Sequence, residues 1–141
     1  MADFLQEINT ILIANTSEVG STTDWPVFRS HLPDDTSIDD RAVALLHTVG
    51  GPDEENVEVE SPGLQVLVRG QQLNQVATSY TDAENIAFAV KNALRGFSGA
   101  SSSGGRHVIG LWNESGPFFL GFDERKRPLF SNNFRVMRSR T

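Results

Sequence analysis

Apolar positions along the chain change period several times, and the clearest change falls between Pro62 and Phe97. Leu64, Val66 and Val68 alternate with Gln65, Leu67 and Arg69 after a Pro62-Gly63 turn. Successive strand side chains point to opposite faces, so this spacing predicts a strand, closed by Gly70. From Ala83 the period lengthens. Ala83, Ile86, Ala87, Val90, Leu94 and Phe97 recur every three or four residues, the stripe of an amphipathic helix. Thr81-Asp82-Ala83-Glu84 has the form of a capping box, in which the threonine oxygen accepts from a downstream amide and Glu84 reaches back. The helix is therefore expected to start there, with Gly96 in its final turn and Gly99 placed to end it. A strand followed by a helix lying on its sheet is the smallest unit of a layered α/β or α+β fold.

The flanking pattern fills in the rest. Phe4, Leu5, Ile8, Ile11 and Leu12 predict a helix over residues 3–15, with Asp3 as its N-cap. Trp25-Pro26-Val27-Phe28 opens an extended segment that runs to Leu32-Pro33, where Pro26 suits a strand start or an edge. Ala42 to Thr48 is a continuous apolar run of strand length, expected to be buried on both faces. Residues 50–61 read as an acidic loop, with Val57 and Val59 alternating as if its end joins the next strand. Residues 96–105 are so rich in Gly and Ser that composition predicts a flexible linker. Beyond it lie runs at 107–112, 117–122 and 129–138, with Asn113 to Gly116 and Asp123 to Pro128 as the intervening turns. Such short separations require antiparallel pairing, because a parallel return needs a long crossover. The expectation is one α+β domain over residues 1–141 in the order α-β-β-β-α-β-β-β. Its sheet is mixed and mostly antiparallel, with two helices packed on one face.

Composition narrows the functional classes. At 141 residues the chain buries about two-thirds of its unfolded surface on folding, enough for an ordinary core without staples. It contains no cysteine, which excludes disulfides, thiol nucleophiles and cysteine metal sites. No signal-peptide pattern opens the chain, and no run of 18 apolar residues occurs, so a soluble protein of the cytoplasm, or of a particle assembled there, is expected and no membrane partner. The net charge of −6 conceals a split. Residues 1–62 hold 13 acidic and 2 basic residues, a net −11, whereas residues 63–141 hold 5 and 10, a net +5. One reading is intramolecular, with acidic loops folding near basic strands. The other is that copies of the chain attract one another head to tail, or that one face meets an acidic partner. Net acidity argues against general or sequence-specific nucleic-acid binding, which rests largely on phosphate neutralisation.

Two ordered stretches carry a resemblance. The first is Pro62-Gly-Leu-Gln-Val-Leu-Val-Arg-Gly70 with its following helix. The second is Pro117-Phe-Phe-Leu-Gly-Phe-Asp-Glu-Arg-Lys-Arg-Pro-Leu-Phe-Ser-Asn-Asn-Phe-Arg-Val136. With Leu32-Pro-Asp-Asp35, the strand from Ala42 and Gly50-Gly51-Pro52 in the same order, residues 25–138 resemble the minor capsid or tail completion proteins of tailed bacteriophages, the group that includes tail terminators of long flexible tails. The resemblance implies a structural virion protein of the tail or neck, assembled in the host cytoplasm. It implies a ring, usually of six copies, that caps the tail tube and joins it to the head connector, with the sheet facing the ring interior. A head-completion or connector protein of the same neck region is the alternative. The group has no catalytic residues to carry over, so no enzyme activity, cofactor or metal is expected.

The residues themselves offer few rivals. Asp34, Asp35, Asp39 and Asp40 with His31 and His47 hold oxygen and nitrogen donors that a metal-dependent hydrolase would need. They sit in a Pro-Asp-Asp turn, however, where Asp is favoured for local backbone bonding. Ser98 in Gly-Phe-Ser-Gly-Ala follows a helix and lacks the closing glycine of a nucleophile elbow, and His107 starts a strand. An adaptor whose sheet edge accepts a strand is the other alternative, with Trp25, Trp112, Phe118, Phe119 and Phe122 as a candidate aromatic surface, although at strand spacing most such rings are core and the neighbours Phe118 and Phe119 point to opposite faces. Two charged clusters stand out as assembly contacts: Asp53, Glu54 and Glu55 in the acidic loop, and Arg125, Lys126 and Arg127 in the last turn.

Overall fold

A computed structural model describes residues 4–20, 25–33, 40–48, 59–95, 98–103 and 106–139. The elements in chain order are α1 (Phe4–Asn15), β1 (Val27–Arg29), β2 (Ala42–Thr48), β3 (Val59–Glu60), β4 (Gly63–Arg69), α2 (Ser79–Leu94), β5 (Ser98–Ser103), β6 (Arg106–Phe122) and β7 (Pro128–Ser139). The fold is α+β, with both helices on one face of a mixed sheet. The strands follow the order β1-β2-β4-β7-β6-β5, with β3 also pairing to β7. Among the described residues only β1 and β2 run parallel, and the other pairs are antiparallel.

Alternation along the strands decides what is buried. Val43 and Leu45 of β2, Leu64, Val66 and Val68 of β4, and Phe130, Phe134 and Val136 of β7 line the helix face. The α1 residues Phe4, Ile8, Ile11 and Leu12 cover this row, as do Ala83, Ile86, Ala87, Val90 and Leu94 of α2. Each fully buried Leu, Ile, Val or Phe contributes about 1.5–3 kcal/mol relative to exposure. Asn132 interrupts the row, opposite Val66, and its amide donates to the Ala87 carbonyl at 2.9 Å, tying α2 to the sheet. On the opposite face the strands present polar groups instead. Gln65 donates to the Ser131 hydroxyl at 3.0 Å, and Asn133 to the Ser115 hydroxyl at 3.2 Å.

Several boundaries differ from the sequence expectation, each for a physical reason. Helix α2 begins at Ser79, not at a Thr81 capping box; its N-cap is Thr78, which makes no side-chain cap bond. The Thr78 hydroxyl donates to the Asp82 carboxylate at 3.1 Å, so the tetrad lies one turn inside the helix. The helix ends at Leu94, before Gly96 and Gly99. Ser98–Ser103 then pairs with β6 as a strand instead of acting as a linker, because backbone pairing asks nothing of the side chains. Asn113 to Gly116 is not a turn. The two runs at 107–112 and 117–122 are one 17-residue strand, and the register shifts near 113–118 absorb the polar residues as bulges. The extended segment from Trp25 pairs only over Val27–Arg29. Strand β2 is buried over Ala42 to Leu45, then emerges at His47 and Thr48. Of the 50–61 loop, Val59–Glu60 pairs as β3, and residues 50–58 lie outside the described ones.

Candidate assembly surfaces

The turn joining β6 to β7 is built by Asp123. Its carboxylate accepts from the amides of Arg125 at 2.9 Å and Arg127 at 3.0 Å, an aspartate turn, while its own amide donates to the Arg127 carbonyl. The same carboxylate takes the Arg127 Nε at 2.7 Å. Arg127 Nη1 reaches Asp40 Oδ1 at 3.1 Å, and Arg125 lies 3.7 Å from that oxygen. Arg127 is 4% exposed, so its charge is spent inside the fold, fastening the hairpin tip to the chain just before β2. That is a folding role which the run of three cations did not reveal. Lys126, in left-handed conformation with φ 62°, is exposed at the tip, and Arg125 is half-buried beside it.

Arg69 performs a related task at the end of β4. It is 3% exposed and donates to the carbonyls of Asp40 and Pro33, each at 2.7 Å, which pins the chain between β1 and β2 against the sheet. Asp40 therefore faces two guanidiniums, an arrangement that satisfies a carboxylate without a metal ion. Asp34, Asp35 and Asp39 lie outside the described residues, as do Asp53, Glu54 and Glu55. His31 is exposed, and the His47 ring rests 5.1 Å from that of Phe4 as an ordinary sheet side chain.

The aromatics divide. Trp25 is buried, whereas Trp112, Phe118, Phe119 and Phe122 are exposed along β6. Phe119 packs edge-on against Tyr80 and Phe122, at 5.0 and 5.2 Å between ring centres. Tyr80 and Phe88 belong to the outer side of α2, away from its buried stripe. Strand spacing alone assigned most of these rings to the core. They stay outside because β6 continues past the end of β5.

Polar pairs at the strand ends, a sheet lined with amides and hydroxyls, and large rings left in solvent form a surface suited to protein contacts. Residues 9–139 match the family model described as bacteriophage tail terminator protein. The chain belongs to the bacteriophage tail terminator family. No curated protein matches it. Membership makes it a structural, tail-associated component of a virion, and a family of tail proteins works through contacts with other phage tail or head components. Sequence reasoning passes over two residues important to this fold, Glu7 and Asn132. Each is a polar residue at an apolar position of its element's period, and that mismatch is the one clue available.

Proposed function

We propose that the protein closes the end of a bacteriophage tail tube as a ring of identical copies, six in number, and there meets the head-completion or connector protein. Family membership over residues 9–139 is the observation that carries this reading. The distribution of charge supports it. Strands β1 and β2 come from the acidic stretch before residue 63, while β4 to β7 and α2 come from the basic stretch after it. Since β1 and β2 form one side of the sheet and β6 and β5 the other, a copy presents unlike sides. Unlike patches make heterologous contacts, and such contacts close into rings. Within this reading the tip residues Arg125 and Lys126 are assembly contacts, and Asp53, Glu54 and Glu55 are the acidic cluster they meet. Arg127 supports the tip from within. Assembly takes place in the host cytoplasm, without cofactor, metal or catalysis.

The test is direct. Light scattering on the concentrated protein is expected to show a sixfold particle, and negative-stain images of tail tubes mixed with it are expected to show added density at one tube end. Monomers under all conditions, with bare tube ends, would overturn the reading.

A further inference from the structure

Strand β6 is lined by β7 along one side, but β5 covers only its first residues, Arg106 to Gly110, on the other. On that other side, among the described residues, no strand lies beside the stretch from Leu111 to Phe122. An open strand edge is a template for another chain, and proteins ordinarily defend such edges with charged side chains, proline or bulges. Here Pro117 and the bulges interrupt the edge, yet Ser115 to Phe122 contains no charged residue. In place of charge it carries Phe118, Phe119, Leu120 and Phe122, and Leu120 is 54% exposed.

These side chains project from both faces of the sheet. Phe119 pairs with Phe130 and meets Tyr80 on the helix face, whereas Phe118 pairs with Ser131 and Trp112 with Arg135 on the polar face. A partner lying on either face would cover one set and leave the other wet. A strand added at the edge covers both. With an aromatic side chain offering about 150–250 Å², the exposed parts of Trp112, Phe118, Phe119 and Phe122 amount to about 350 Å². A standard interface takes about 800 Å² from each partner, so these rings supply close to half of one side, to which Leu120 and the backbone groups of the edge add.

The opposite edge of the same sheet identifies the occupant. It is β1, which has a strand neighbour only in β2 among the described residues and whose one charged residue is Arg29, whereas Glu114 is the one charged residue from Leu111 to Phe122. Pairing two β6 edges would turn the Glu114 residues of both copies to one contact and stop at a dimer. Pairing β6 with β1 brings unlike charges together and repeats. We infer that the Leu111–Phe122 edge of β6 is the subunit contact, taking the β1 edge of a second copy as the next strand of a sheet continuous around the assembly. This rests on the ring reading above.

The test uses Leu120→Lys, which places a charge at the edge without touching the core. Its circular dichroism and urea midpoint are expected to match the wild type, while the concentration for half-assembly rises by more than about tenfold, the cost of desolvating one charge at a contact. Phe118→Lys probes the same edge from the other face. Because the chain has no cysteine, Leu120→Cys and Arg29→Cys chains can also be mixed and treated with a short bismaleimide. A covalent dimer is expected from the mixture and from neither variant alone. Wild type and both lysine variants forming equal rings would overturn the inference and leave the ring reading intact. Self-linking of Leu120→Cys alone would replace the head-to-tail contact by a two-fold one. Lysine variants that form rings but release tail tubes would assign the edge to the tube protein instead. A wild type that never self-associates would overturn both readings together.

Discussion

Glu7 and Arg138 meet across almost the whole chain, with Nη2 donating to Oε1 at 2.7 Å and both side chains sealed from solvent. The guanidinium also lies 5.6 Å from the Phe4 ring, so α1 is held to the end of β7 by charge and by packing together. Removing both charges of a buried pair is often tolerated, but removing one strands the other and costs about 3–5 kcal/mol. Glu7→Ala is therefore expected to lower stability by roughly that amount in urea denaturation, and Glu7→Leu combined with Arg138→Met to recover most of it. A double variant no more stable than Glu7→Ala would show that the pair does more than neutralise itself. Nothing local in the sequence announces this contact. Helix periodicity places Glu7 beside Phe4 and Ile8 on the buried side, but its partner lies 131 positions away. Arg127 was hidden differently. It sits in a run of cations that reads as surface, and only the placement of Asp123 and Asp40 around it shows otherwise.

At the scale of elements, legibility followed the strength of the period. The stripes of α1 and α2 and the alternation of β4 and β7 each span two or more repeats, and the structure returns them within a few residues. Strand β5 has no apolar residue but Ala100 and gave no signal, because its neighbour and not its composition makes it a strand. The β6 bulges erased a strand signal in the same way, inserting polar residues that mimic a turn. The joint between β4 and α2 depends on Gly70. A Cβ there would stand 2.9 Å from Pro128 Cγ, 3.0 Å from the Ser79 carbonyl oxygen and 3.1 Å from Ala83 Cβ. Strand end, helix start and hairpin converge on a space sized for hydrogen. Gly70→Ala should cost about 1–3 kcal/mol by overpacking, read as a lower urea midpoint at unchanged slope. An unchanged midpoint would mean that the α2 start yields freely.

Across the whole molecule, part of the charge split closes inside one copy, where Asp40 meets Arg125 and Arg127 and Glu7 meets Arg138. Composition showed the split, but only strand order could say whether it cancels inside one copy or is offered to the next. If it is offered, assembly should respond to salt, since the screening length falls from about 10 Å at 0.1 M to about 3 Å at 1 M. Arg125→Glu with Lys126→Glu should leave the monomer folded, Arg127 being spared, and abolish rings at low salt. Adding Asp53→Lys, Glu54→Lys and Glu55→Lys should restore them if the clusters meet. Normal assembly of the first variant at low salt would reduce the tip to solvated surface.

Strand β7 lies at the centre of the sheet, between β4 and β6, yet it follows both in the chain. A ribosome making this protein thus releases β4, α2 and β6 before the strand that joins them exists. Until Pro128 to Ser139 has emerged, each flanking strand has an uncovered side and the helix has half a surface to lie on. Local contacts within β6 and its approach to α2 can form early, but sheet closure waits on pairings such as Leu64 with Phe134, seventy positions apart in the chain. The sheet is consequently incomplete until β7 has been made. Order of synthesis, and not only pairing strength, decides when the sheet can close.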